Sequence, residues 1–213
     1  DQYPLLLSFP YFDLYRKQVV KQADLVLAMH LRGDAFSEDQ KVRNFAYYER
    51  LTVRDSSLSS ATQAVVAAEV GHLDLAYDYL AEAALMDLGD LQNNTRNGVH
   101  IAALAGGWTA LVAGFGGLRA RQGTLCFAPR LPDALSRMAF NLFYRGRRLS
   151  VSVTPSSATY TLQEGISLEL IHYGEAFKLT AAEPVTRPIP PAPVRDRPIQ
   201  PPGRAPMPRR RHH

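Results

Sequence analysis

Between about residue 13 and residue 114 the apolar side chains recur every three to four positions, and beyond Gly114 they alternate with polar ones. The first spacing belongs to helices with a buried face, the second to half-buried strands. Asp13 is placed to cap a run through Val19, Ala23, Val26, Leu27 and His30, with Gly33 as its stop. Ser37 and Gln40 have the spacing of a capping box for a second helix through Phe45 and Tyr48. The stretch VRDSSLSSATQAVVAAEVG, residues 53–71, sets an acid and four serines within six residues, ahead of an amphipathic run that stops at Gly71. Leu73, Ala76, Tyr77, Leu80 and Ala84 mark a fourth helix. A fifth, GVHIAALAGGWTALVAG from Gly98 to Gly114, is apolar on nearly every face, which predicts that other helices enclose it. Successive helices of this kind suit a helical hairpin array or a layered toroid.

After Gly114, Met138, Phe140, Leu142 and Tyr144 alternate with Ala139, Asn141, Phe143 and Arg145. Leu149, Val151 and Val153 repeat the pattern after a turn at Gly146, and residues 158–162 and 168–173 do so again. Short strands joined by tight turns predict an antiparallel sandwich. The coarse division is an α region over 1–116, a β region over 117–182 and a tail over 183–213.

Charge sharpens the last boundary. The chain of 213 residues carries a net +4. Residues 183–213 hold seven Arg, no Lys and two acids, so the tail carries +5 and the rest −1. The tail also holds ten of the fifteen prolines and no aromatic residue. Such a segment has little apolar surface to offset its ordering entropy, so it is expected to be disordered and partly polyproline II. It lacks the stacking residues and folded basic face that nucleic acid binding requires. No run is apolar and long enough to span a bilayer. Cys126 stands alone, which excludes an internal disulfide or a cysteine metal cluster and leaves a cytoplasmic setting as the default. The chain opens on Asp1, within the apolar and aromatic stretch YPLLLSFPYFDLY, and this predicts a piece of a longer protein or a processed product.

Three places carry candidate chemistry. A helix start exposes unpaired backbone N–H groups and the positive end of the helix dipole, so surplus serines there can line an anion or sugar site. One of residues 55–57 must cap the helix; the others are binding candidates or solvated loop residues. His100, in the first turn of the most apolar helix after the Asn-rich NNTRNG turn, can donate to an anion or sit as a satisfied core histidine. Lys21 and Gln22, side by side at the start of an amphipathic stretch, can fork onto sugar hydroxyls or simply face solvent. No zinc, phosphate-loop, dinucleotide or Ser-His-Asp pattern is present, and no acids form an evident general acid/base pair.

LYRKQVVKQADLVLAM, FAYYERLTVRDSSLS, MDLGDLQNNTRNGVHIAALAGGWTALVAGFGG and LCFAPRLP, in this order and spacing, resemble the C-terminal part of glycoside hydrolase family 65 over roughly residues 3–180. The resemblance implies an α+β chain, with the last helices of an (α/α)6 barrel followed by a small C-terminal antiparallel β-sandwich. It implies an inverting disaccharide phosphorylase that cleaves an α-linked glucose disaccharide of the maltose, trehalose or kojibiose type. Inorganic phosphate is the nucleophile and β-glucose 1-phosphate the product; no metal or cofactor is needed, and a homodimer is the assembly to test. Ser56, Ser57 and His100 match the phosphate-binding elements, and Lys21 and Gln22 match residues that grip the non-reducing glucose. The family's general acid, a Glu, is expected upstream of Asp1, so no catalytic residue is assigned here. Family members often carry Thr-His before DSSLS where this chain has Val53 and Arg54; Arg54 would add a cation for phosphate or mark a different acceptor. A trehalase-like inverting hydrolase and a non-catalytic carbohydrate-binding fragment are the alternatives. A carboxylate in place of the serines would favour the hydrolase, and Asp55, the only acid there, is expected to act as a cap.

Overall fold

The computed structural model describes residues 4–206. The chain forms two compact units, one of residues up to Ala110 joined by the stretch from Arg195 onward, the other Leu111–Val194.

The first unit is helical: α1 Leu5–Ser8, α2 Tyr11–Leu14, α3 Asp24–Leu31, α4 Glu38–Leu51, α5 Ser59–Val70, α6 Leu73–Ala84 and α7 Ile101–Thr109. The capping box forms as spaced: Ser37 Oγ accepts from the Gln40 N–H, and the Gln40 side chain accepts from the Ser37 N–H. Gly71 ends α5 at φ 98°, the left-handed conformation that glycine adopts without a Cβ penalty. The expected first helix does not form as one piece. Asp13 lies inside α2, and residues 15–23 run through turns and bends before α3, where Val20 pairs with Thr52 as an isolated parallel bridge. Backbone partners from a distant segment outweigh the local helical spacing.

Two helices exchange the environments expected for them. α5 is buried along almost its whole length and packs against α3, α4, α6 and α7. Its small residues let neighbours approach: a Cβ on Gly106 of α7 would lie 2.4 Å from the Cβ of Ala61. α7, read as enclosed on all sides, buries Ala103 and Gly107 but leaves Ile101 74% and Trp108 52% exposed.

A π-helical segment, Ala110–Phe115, follows α7 in sequence, and the second unit begins within it at Leu111. Its strands are β1 Arg119–Arg121, β2 Thr124–Phe127, β3 Met138–Tyr144, β4 Arg147–Val153, β5 Ser157–Glu164, β6 Ser167–His172, β7 Glu175–Thr180 and β8 Val185–Pro188. They make two four-stranded sheets, ordered β1-β2-β6-β7 and β3-β4-β5-β8. All pairings are antiparallel except β2 with β6. The β3–β4 hairpin closes on Arg145 and Gly146, both at positive φ, as a two-residue turn requires. The Tyr160 ring joins the two sheets, 5.2 Å from Phe127 and 5.3 Å from Phe177. Its hydroxyl lies 2.7 Å from His172 Nδ1, and His172 Nε2 lies 2.9 Å from the Pro188 carbonyl. A neutral ring serves both contacts, with Nε2–H donating to Pro188 and Nδ1 accepting from Tyr160.

The tail departs from the disorder expected of it. Residues 185–188 are strand β8 on the edge of β5, so the second unit extends past residue 182. Residues 195–204 hydrogen-bond to the helical unit: Arg195 Nε donates to the Val70 carbonyl at 2.9 Å, Arg197 meets Asp78 at 3.5 Å, and Gln200 Nε2 donates to Glu49 and to the Tyr79 hydroxyl, each at 2.7 Å. Composition undervalued the segment because its energy comes from charge-assisted bonds to acids and carbonyls on the helices, and not from apolar burial. Residues 207–213, the rest of the expected tail, lie outside the described residues.

Candidate functional site

The site is assembled around the turn before α5. Val53 N–H donates to the Val20 carbonyl and Asp55 N–H to the Lys21 carbonyl, each at 2.9 Å. This backbone ladder sets Lys21 and Gln22 beside the serine turn. No hydrogen bond or ion pair engages the Lys21 ammonium among the described residues, whereas Gln22 Nε2 donates to Asp24 at 2.8 Å. A cleft of about 200 Å³ opens here, walled by Leu5, Tyr11, Tyr15, Lys17, Lys21 and Asp55. Aromatic faces and lysines of this kind suit a sugar, whose C–H faces stack and whose hydroxyls accept.

The turn itself is unusual. Arg54 adopts φ 56°, which costs a non-glycine residue roughly 1–2 kcal/mol. The side chain does not offer a free cation, contrary to expectation. It is buried, its Nη1 lies 2.7 Å from both Glu82 oxygens, and its guanidinium sits 5.1 Å above the Tyr79 ring centre. Glu82 neutralises it, so Arg54 belongs to the core. Asp55 does not cap α5 either. Its side chain is 2% exposed, with one oxygen 2.6 Å from the Leu5 N–H and the other 3.1 Å from Arg204 Nη2. Neither Ser56 nor Ser57 takes the capping role that one of residues 55–57 was expected to fill: the N-cap of α5 is Leu58, without a side-chain cap bond, and Ser56 Oγ accepts from the Leu58 N–H at 3.3 Å in the turn ahead of the helix.

Ser57 is half-buried with no hydrogen bond among the described residues. At the start of α5, Ser59 and Ser60 are 2% and 1% exposed, and neither hydroxyl has a partner among the described residues. An unpaired buried hydroxyl costs about 1–3 kcal/mol. Four hydroxyls therefore cluster at a helix start, two of them buried and unpaired, and the one carboxylate there, Asp55, has both oxygens engaged. Sequence reasoning singled out Ser56 and Ser57 and passed over Ser59 and Ser60, although the same DSSLSS string contains them; only burial distinguishes them.

His100 occupies the N-cap of α7. Its Nδ1 lies 2.6 Å from one Asp87 oxygen, and its backbone N–H donates to the other at 3.0 Å. With Nδ1–H donating to the carboxylate, Nε2 is the nitrogen left for a ligand. Asp90 orders the preceding turn by accepting from the Asn94 and Thr95 N–H groups, which holds its carboxyl below the usual range. The structure joins Lys21 to the serine turn through backbone bonds. Among the described residues no hydrogen bond links His100 to Ser56 or Ser57; α7 reaches α5 through the Gly106–Ala61 contact.

A second polar cluster, unsuspected from sequence, lies within the helices. Glu49 is 1% exposed and accepts from Gln63 and Gln200 at 2.7 Å and from the Tyr79 hydroxyl. Burial raises its carboxyl, an effect opposed by these hydrogen bonds and by Arg54.

Residues 1–109 match the model of the glycosyl hydrolase family 65 central catalytic domain, and residues 118–179 match that family's C-terminal domain. The chain therefore belongs to glycosyl hydrolase family 65, as an α+β member whose helices fall in the catalytic domain and whose β-sandwich is the C-terminal one. An uncharacterised glycosyl hydrolase of Mycobacterium leprae is 54% identical over 98% of this chain and 27% of its own length. The α,α-trehalose phosphorylase of Thermoanaerobacter brockii is 40% identical over 86% of this chain and 24% of its own. A solved structure, a kojibiose phosphorylase from the human microbiome described as putative, superposes with a TM-score of 0.84 at 27% identity, covering 91% of this chain and 28% of that one. The chain thus spans about a quarter of the length of the curated relatives it matches.

Proposed function

We propose that this chain is the C-terminal part of an inverting disaccharide phosphorylase. It serves the cleavage of an α-glucoside of the maltose, trehalose or kojibiose type by inorganic phosphate. One observation carries the reading: the turn before α5 and the first residues of that helix offer hydroxyls, those of Ser59 and Ser60 buried and unpaired among the described residues, while the turn's only acid, Asp55, has both oxygens engaged. An inverting hydrolase needs a free carboxylate to activate water at this position. An array of hydroxyls at the positive end of a helix suits a phosphate instead.

On this reading Ser56, Ser57 and His100 hold the phosphate beneath the sugar, and Lys21 and Gln22 grip the non-reducing glucose. A phosphate oxygen attacks the anomeric carbon as the glycosidic C–O bond breaks. A general acid, supplied by a part of the polypeptide preceding Asp1, protonates the leaving oxygen, and β-glucose 1-phosphate forms. Asp87 keeps the His100 ring in one orientation, so its Nε2 meets the anion without reorganisation.

The test is the complete polypeptide incubated with a panel of α-glucobioses, with and without phosphate, and assayed for glucose 1-phosphate. Phosphate-dependent release from one disaccharide is expected. Equal cleavage without phosphate, giving two free sugars, would establish a hydrolase.

A further inference from the structure

The segment after Arg195 makes a reciprocal contact with the turn that presents the serines. Arg204 Nε donates to the Val53 carbonyl, and its Nη2 lies 3.1 Å from Asp55 Oδ1. In return Arg54 Nη2 donates to the Arg204 carbonyl. The three residues 53–55 are thus held at both ends by one arginine, and the middle one is the residue at φ 56°. A left-handed non-glycine residue persists only where its surroundings over-determine it. Glu82 fixes the Arg54 head from the helix side, and the Arg204 carbonyl fixes it from the tail side.

We infer that Arg204 is a positioning residue: it clasps the 53–55 turn and so sets the geometry in which Ser56 and Ser57 meet an anion. The contact geometry favours this over a general stabilising role. Arg195 and Arg197 meet the backbone or acids of helices α4, α5 and α6, remote in sequence from the serine turn, whereas Arg204 alone among them bonds to the turn itself. Its guanidinium is a planar fork that reaches a carbonyl and a carboxylate together, a task to which a lysine is poorly fitted. The anion-binding consequence rests on the phosphorylase reading; the clasp itself does not.

The experiment uses the complete polypeptide and its Arg204→Ala and Arg204→Lys variants, with Arg197→Ala as a tail control. Hydrogen–deuterium exchange of the amides at 53–60 reads the clasp without any activity. Isothermal titration with inorganic phosphate, and KM for phosphate against KM for the disaccharide, read its consequence. Arg204→Ala is expected to speed exchange at 53–57 and to weaken phosphate about tenfold, with the disaccharide KM within twofold. Arg204→Lys is expected to recover only part of this, and Arg197→Ala to leave both readouts unchanged. Unaltered exchange at 53–57 in Arg204→Ala would overturn the inference. So would equal losses for phosphate and disaccharide, which a merely structural role produces. A wild-type enzyme that cleaves without phosphate would instead refute the phosphorylase reading, and faster exchange in Arg204→Ala would still uphold the clasp.

Discussion

At the centre of the β-unit, Tyr160 and His172 satisfy each other and the Pro188 carbonyl, and the aromatic rings around them are closed from solvent. At the centre of the helical unit, α5 carries two buried serine hydroxyls without partners, and α7 turns Ile101 and Trp108 outward. The polar pair at the centre of the β-unit is satisfied; the serines at the start of α5 are not. Buried unpaired hydroxyls are costly, and on the phosphorylase reading the anion supplies their partner. Exposed apolar side chains on a helix with almost no polar face point to further protein.

The largest expected effect tests completeness. Phe127→Ala should cost the β-unit about 3–5 kcal/mol in urea unfolding, as an aromatic core truncation does. Ile101→Ala in this chain should stay within about 0.5 kcal/mol, as at an exposed position. In the complete polypeptide its cost should rise toward core values; similar small costs in both contexts would break the contrast. Next is His100→Ala in the complete enzyme, which should lose one charge-assisted hydrogen bond, about 1.5–3 kcal/mol. Its effect should fall on the phosphate requirement more than on that for the disaccharide, and equal effects would separate His100 from the anion. Gly106→Ala forces a methyl onto Ala61 and should destabilise the α5–α7 crossing by about 1–3 kcal/mol in thermal unfolding. Ser37→Ala should cost about 1 kcal/mol, because only a local cap is lost.

The finest distinction is in pH. Burial lowers His172 below its ordinary value near 6.5, so its contribution to stability is complete above that value and is lost as pH falls. His72, lowered by burial and by Arg195 and Arg197, gives the helical unit a similar acid limb. Glu49 acts oppositely. Its carboxyl is raised, so its contribution is complete below about 4.5 and is lost as pH rises through the raised value. Melting temperatures of His172→Gln and Glu49→Gln across pH should each flatten one limb, and a profile unchanged by either substitution would remove that residue from the account.

The legible features were those set by neighbours in sequence. The Ser37–Gln40 box, the Gly71 stop and the alternation of β3 to β6 all depend on spacings of a few residues, and they form as spaced. What escaped depends on partners far along the chain. Val20 leaves a helical pattern because Thr52 offers it a bridge. Arg54 is drawn into the core by Glu82, 28 residues on, and Asp55 is claimed by Leu5 and Arg204. α5 and α7 exchange expected environments because hydrophobic pattern says which faces seek cover, not which neighbours supply it. In the candidate site, the string DSSLSS marks a helix start rich in hydroxyls, but burial alone separates Ser59 and Ser60 from their neighbours.

The clasp between Val53 and Arg204 joins residues 151 positions apart, with the whole β-unit between them. The entropy of closing so long a loop is modest, because each doubling of length adds only about 0.6 kcal/mol. Time is the larger matter, since contacts between distant residues form late in folding. During synthesis the helices and sheets can assemble while the serine turn still waits for a segment made at least 140 residues later. A polypeptide halted after the β-sandwich would look folded to most probes, yet would lack the clasp. The arrangement ties the finished shape of one turn to the translation of an arginine 151 positions later.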